Sequence, residues 1–201
     1  MTIRLSWVVL AAAMAMNHPA SAALKAGDKA PDFAAPASLA GKSFDFALKD
    51  ALKKGPVVVY FYPAAYTKGC DIEAHTFAES KDKFDAVGAT IIGVSQDGIA
   101  RLNQFSADPD YCAGKFPVAS DPDGKIATSY DLKVMPLDPA KAFKDVQGVD
   151  ITHGFTERTT FVIDRNDKVV ATLSSADDHI APADHVDKSL AIVEQLTGKH
   201  Q

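Results

Sequence analysis

Apolar and polar positions alternate along this chain in two rhythms, and the change from one to the other marks out the elements. Residues 57–62, Val-Val-Val-Tyr-Phe-Tyr, form an unbroken run of β-branched and aromatic side chains, the composition of a strand covered on both faces. Pro63 stops the run. Thr67 then stands where an N-cap belongs, ahead of a helix predicted from Lys68 to about Val87. Along it Ala74, Phe77, Ala78, Phe84 and Val87 recur at helical spacing and should face the core, with Glu79, Lys81, Asp82 and Lys83 toward solvent. Gly88 ends this helix, and residues 89–94 read as a second apolar strand. Asp97-Gly98 opens a helix over 99–107 that Asp108-Pro109 closes.

The flanking segments give weaker signals. Residues 30–42 carry a faint strand–turn pattern, and 44–54 read as a short helix stopped by Gly55-Pro56. Phe116-Pro117-Val118 is a short extended piece, 121–124 a turn, and 126–130 one helical segment. Residues 134–156, with two prolines and no clear period, read as a long connection; such loops are uncommon and often functional. Residues 159–163 and 169–173 flank a polar turn and form a hairpin. A last helix spans 182–197, with Val186, Leu190, Val193 and Leu196 on one face, Pro182 in its first turn and Gly198 at its end. This order predicts an α/β domain, a central mixed β-sheet flanked by helices on both faces, with no repeats and no second domain.

The chain has 201 residues, 47% of them hydrophobic and 23% charged, close to globular averages. Its first 22 residues read differently: Arg4, an apolar stretch over 5–16 and Ala20-Ser21-Ala22 match a secretory signal peptide and its cleavage site. The apolar stretch is short for a bilayer span, which needs about 20 residues; an uncleaved anchor is the alternative. The expected mature domain, 23–201, is then periplasmic or secreted. Removal of Arg4 takes the formal charge from −5 to −6, a mildly acidic surface with no basic run for nucleic acid or anionic membrane. Two cysteines, Cys70 and Cys112, are too few for a disulfide scaffold. In an oxidising compartment they are either one staple or one redox couple.

Position gives Cys70 its chemistry. Counting from Thr67 it is N3 of its helix, where unpaired N–H groups and the helix dipole favour an anion. A sulfur there is expected to be more thiolate than its reference pKa of roughly 8.5 allows. The competing reading is a small buried apolar cysteine beside an ordinary cap. Asp71 and Glu73, in the same turn, suit the dipole but oppose thiol ionisation. Asp71 is expected to point to solvent, and His75 to be a half-buried helix residue. Ionisation alone is insufficient for catalysis. At pH 7 a thiol of pKa roughly 8.5 is about 3% ionised, so full ionisation gains about 30-fold, whereas enzymes commonly lower barriers by about 8 kcal/mol or more.

Pro63-x-x-x-Thr67-x-x-Cys70 resembles the peroxidatic motif of the peroxiredoxins. Tyr60-Phe61-Tyr62-Pro63 with Cys70-x-x-Glu73 resembles the PrxQ, or bacterioferritin-comigratory-protein, branch. Arg158, in Glu157-Arg158-Thr159-Thr160-Phe161, matches the motif's distant arginine. Ala30-Pro31-Asp32-Phe33 and Phe116-Pro117-Val118 with Ser120-Asp121-Pro122-Asp123-Gly124 resemble the family's opening and middle; the likeness runs from about 27 to 170. It implies a thioredoxin-like fold, which periodicity alone does not select, and a thiol peroxidase needing no cofactor or metal. Cys70 would attack the O–O bond, Arg158 hold the thiolate and polarise the peroxide, Thr67 position it, and Pro63 shield the sulfur. Glu73 would pair with the arginine. One PrxQ branch carries its second cysteine five residues after the first, where this chain has His75, so Cys112 becomes the candidate resolving cysteine, with a buried spectator as the alternative. The implied partners are a peroxide and a thiol or thioredoxin-like electron donor, in a monomer or homodimer without stable membrane association. Two rivals stay open. A thiol–disulfide oxidoreductase would normally use C-x-x-C, but position 67 is Thr67 and position 73 Glu73. A metal-binding or chaperone-like module finds no H-x-x-H spacing.

Overall fold

Residues 23–198 are described by the computed structural model, so the expected signal peptide, 1–22, lies outside the described residues. The apolar run becomes β3 (Val57–Phe61), buried at every position. It sits inside a seven-stranded sheet because both of its edges are taken. On one side it pairs in parallel with β4 (Thr90–Ser95), on the other antiparallel with β8 (Thr159–Ile163). The order across the sheet is β2-β1-β5-β4-β3-β8-β9, with β1 at Ala34–Leu39, β2 at Lys42–Ala47, β5 at Val118–Ser120 and β9 at Val169–Ser174.

Alternation along β3 builds two cores. Val58 and Tyr60 face a cluster containing Phe77, Phe84, Phe105 and Val186, from helices α2 (Lys68–Ala86), α3 (Ile99–Ala107) and α5 (Pro182–Thr197). Val57, Val59 and Phe61 face another, with Leu52 and Ala127 from α1 (Leu48–Leu52) and α4 (Lys125–Ser129). Helices therefore cover both faces of the mixed sheet, the α/β layering expected from the element order. The expected inner face of α2 is buried throughout: Ala74, Phe77, Ala78, Phe84 and Val87.

One segment is corrected. The helix expected over 44–54 is a strand as far as Ala47, and only Leu48–Leu52 are helical. β2 returns along β1 through Ala40-Gly41, at φ +50° and +78°. Two positive φ values in a two-residue connection give the hairpin turn whose twist matches the strands. Alanine is a poor advertisement for such a turn, and the strand was hidden by it. The long connection over 134–156 is closed at its ends by a two-stranded ribbon, β6 (Val134–Met135) against β7 (Phe155–Thr156). Among the described residues no helix is long and apolar enough to cross a membrane.

Candidate active site

The β3–α2 junction supplies the sulfur. Thr67 is the N-cap residue of α2, but its hydroxyl does not cap the backbone. Its Oγ1 lies 2.8 Å from the Ala64 carbonyl oxygen and 3.0 Å from Cys70 Sγ. A hydroxyl has one proton, so it can donate to the sulfur only by weakening its bond to Ala64. Cys70, at N3, is 1% exposed.

Strand register brings in the arginine. In the β3–β8 ladder Phe61 pairs with Thr159, so Arg158 leaves the sheet beside Tyr62, where β3 hands over to the loop leading to Cys70. Its Nη2 donates to Cys70 Sγ at 3.2 Å, and its Nη1 donates to Glu73 Oε2. A Cβ at Gly69 would lie 3.1 Å from Arg158 Nη2 and 3.5 Å from Pro182 Cγ, so any larger residue here would crowd the guanidinium. Thr67, Cys70, Glu73 and Arg158 thus form one contiguous group. Pro63 is half-buried beyond the end of β3.

Electrostatics depart from the sequence expectation. Burial pushes the Cys70 thiol up from its ordinary value, against the Arg158 charge and the Thr67 hydrogen bond, with the Glu73 carboxylate also opposing ionisation. Helix position therefore does not decide the matter; desolvation does. Burial likewise raises Glu73 to about 7, although Arg158 holds it down. Asp71 does not point freely to solvent. It is half-buried, its Oδ1 has no partner, and burial with the Asp108 and Asp145 charges raises it to about 6. His75, expected half-buried, is exposed, with Nδ1 3.0 Å from the Asp110 carbonyl oxygen.

Cys112 follows α3 in a turn and is fully buried. Both cysteines are free thiols within one apolar cluster. Burial, then Asp108 and Asp71, raise the Cys112 thiol well above its ordinary value.

Several residues around the site gave no signal in the sequence. Tyr66 adopts φ +58°, a conformation non-glycine residues keep only when their surroundings enforce it. Here Val146 N–H donates to the Tyr66 carbonyl at 2.9 Å, and the Arg101 guanidinium lies 3.9 Å over its ring. Arg101 in turn pairs with Asp145 of the long connection. Asp97, read only as part of a helix-opening turn, accepts from Ala65 N–H at 2.8 Å and from the Ser95 hydroxyl at 2.7 Å. Its other oxygen is 3.1 Å from His153 Nε2, while His153 Nδ1 is 2.7 Å from the Gly154 carbonyl oxygen. Both partners can only accept, so His153 carries two ring protons and is a cation. The 134–156 connection is thereby strapped to the loop that presents Cys70. Among the described residues no three or more His, Cys, Asp or Glu side chains are grouped to hold a metal ion.

Comparisons with known proteins identify the family. Residues 26–172 match the model of the AhpC/TSA family. The crystal structure of peroxidoxin BcpB from Mycobacterium tuberculosis superposes with a TM-score of 0.69 at 30% identity, covering 86% of this chain and 98% of that one. The bacterioferritin comigratory protein of Xanthomonas campestris, described for its alkyl peroxide reduction activity, superposes with a TM-score of 0.61 at 29% identity, over 81% and 91%. Chloroplastic peroxiredoxin Q of Oryza sativa is 31% identical over 144 residues, 72% of this chain and 57% of that protein.

Proposed function

The chain belongs to the AhpC/TSA family and is a thiol-dependent peroxidase, and from that premise we propose that Cys70 is the sulfur that attacks the peroxide. The observation that carries this assignment is the 3.2 Å contact between Arg158 Nη2 and Cys70 Sγ. Attack of the thiolate on one peroxide oxygen forms the S–O bond of a sulfenic acid as the O–O bond breaks, and the departing oxygen leaves as water or an alcohol once protonated. Negative charge moves from sulfur to that oxygen. Arg158 is a fixed donor beside the reacting atom, where preorganised hydrogen bonds act most strongly, and the Thr67 hydroxyl, 3.0 Å from Sγ, positions the peroxide. Pro63 limits water at the sulfur.

Resolution is assigned to Cys112, giving an intramolecular Cys70–Cys112 disulfide. A disulfide needs Cα atoms roughly 4.4–6.8 Å apart, and the two thiols sit on different buried elements, so the first turn of α2, the 108–116 turn, or both must unwind. Unwinding also removes the burial that keeps the Cys112 thiol protonated. The electron donor is a thiol or thioredoxin-like protein. Hydrogen peroxide and organic hydroperoxides are both within the chemistry; the described activity of the Xanthomonas relative favours testing alkyl hydroperoxides first. Residues 1–22 act as a signal peptide removed after Ala22, which delivers a domain of residues 23–201 to the periplasm or outside the cell.

Peroxide consumption by wild type, Cys70→Ser and Cys112→Ser, with intact mass before and after one equivalent of peroxide, tests this reading. Cys70→Ser should be inactive. Cys112→Ser should complete the first oxidation yet lose turnover. Full turnover of Cys112→Ser would replace the two-cysteine cycle by one in which an external thiol resolves Cys70.

A further inference from the structure

We propose that Glu73 holds the Cys70 proton while the thiolate exists, taking it from the thiol and surrendering it to the oxygen that departs from the peroxide. The inference rests on Cys70 being the attacking sulfur. One guanidinium sits between two acids: Arg158 Nη1 donates to Glu73 Oε2 and Nη2 to Cys70 Sγ. Glu73 is fully buried and Cys70 nearly so. With Glu73 ionised and Cys70 a thiol, the group is neutral. Were Cys70 to ionise while Glu73 stayed charged, two anions would share one cation inside the protein, the arrangement desolvation penalises most. Moving the thiol proton to Glu73 keeps the sum at zero, removes the carboxylate that opposes the thiolate, and leaves the Arg158 charge to the sulfur.

The surroundings of Glu73 provide a place for that proton. Its Oε1 is buried and has no hydrogen-bond partner. His185 on α5 brings its Nδ1 to 4.0 Å from it. The histidine's protonation follows from its bonds. Ser175 Oγ donates to the Ile180 carbonyl oxygen at 3.1 Å, so toward His185 Nε2, at 2.8 Å, it must accept. Nε2 therefore carries the ring proton, and Nδ1 accepts from Thr160 Oγ1 at 2.9 Å. His185 is neutral, and burial together with Arg158 lowers it to about 4. Its Nδ1 lone pair is taken by the Thr160 hydroxyl, so the ring offers Oε1 no proton. The other groups bearing on Glu73 do not supply one: the Tyr60 hydroxyl on β3 is buried and makes no hydrogen bond. Asp178 and Asp184 act on His185 rather than on Glu73. Oε1 thus receives no hydrogen bond that would hold a negative charge there, in keeping with the raised titration of Glu73.

The half-cycle balances. Thiol and carboxylate become thiolate and carboxylic acid. The thiolate attacks, the S–O bond forms, the O–O bond breaks, and the electron pair leaves on the distal oxygen. That oxygen receives the Glu73 proton, so the products are sulfenic acid, water or alcohol, and the original carboxylate.

Infrared difference spectroscopy on the reduced protein at about pH 8, one unit above the Glu73 value, separates the possibilities. The expected result is a carboxylic acid C=O band in wild type, lost on peroxide addition, lost in Cys70→Ser, and absent from Glu73→Gln. Glu73→Asp, should Glu73→Gln not fold, should shift the band. A thiolate absorbance in wild type without the acid band, or an equal band in Cys70→Ser, would overturn the proton assignment while leaving the peroxidase reading intact. Absence of peroxide consumption in wild type would overturn both.

Discussion

Arg158 Nη2 lies 3.2 Å from Cys70 Sγ across a separation of 88 residues. The contact exists because the β3–β8 ladder ends with Phe61 opposite Thr159, which sets Arg158 against the loop that follows β3. The same guanidinium holds Glu73, so its fork must engage two groups at once.

That double engagement cannot be copied by a single ammonium. Arg158→Lys is expected to reduce kcat/KM for peroxide about 10²–10³-fold, the usual loss of one preorganised donor at a centre of developing charge. Single-turnover stopped flow on the reduced protein measures it, and a loss of less than about threefold would show that Arg158 does not act on the reacting atoms.

Gly69 offers a case in which stability and activity should separate. Alanine at this helix position improves helix propensity by up to about 1 kcal/mol. Its Cβ, however, would stand 3.1 Å from Arg158 Nη2, forcing the guanidinium to retreat by a few tenths of an ångström. Gly69→Ala should keep or raise Tm and slow peroxide reduction by roughly tenfold, since small misplacements of a catalytic group are costly. Thermal melts and stopped flow on the same sample check both halves.

The His153–Asp97 pair gives a pH signature. Burial opposes charge on both, but their mutual hydrogen bond and attraction win, so His153 is raised and Asp97 lowered from their ordinary values. A raised histidine contributes stability that is complete below its unfolded value, about 6.5, and lost as pH climbs through the folded one. A lowered aspartate contributes above its unfolded value and loses that contribution as pH falls through the folded one. The stability gap between wild type and His153→Gln should therefore hold steady from about pH 5 to 6 and shrink above roughly pH 6.5. Denaturant midpoints across that range measure it; a gap that widens with pH would contradict the cationic His153.

Tyr60 carries a fully buried hydroxyl with no hydrogen-bond partner. Its ring stacks on Phe77 and Tyr62 at centroid distances of 4.7 and 5.3 Å, contacts that phenylalanine would keep. An unsatisfied buried hydroxyl costs about 1–3 kcal/mol. Tyr60→Phe should accordingly raise Tm by at least about 2 °C, with peroxide consumption retained; calorimetry and a peroxide assay report on the two.

What could be read from the chain is what local pattern encodes. The β-branched run before Pro63 fixed β3. Gly98 and Asp108 bounded α3, and Pro182 with Gly198 bounded α5 at the residues observed. Cys70 at N3 follows from counting after Thr67, whereas only the family likeness singles out Arg158 as its partner. Residues 44–47 are a strand rather than the start of a helix because that strand depends on a partner, β1, and on a turn that alanine does not announce. The direction of the Cys70 shift, the burial of Asp71 and Glu73, the cationic His153 and the neutral His185 had no local signature. Each is set by desolvation and by which atoms other elements bring within hydrogen-bond reach. Sequence determined where the sulfur sits on its helix; only the folded chain decided what surrounds it, because protonation depends on neighbours that sequence distance does not record.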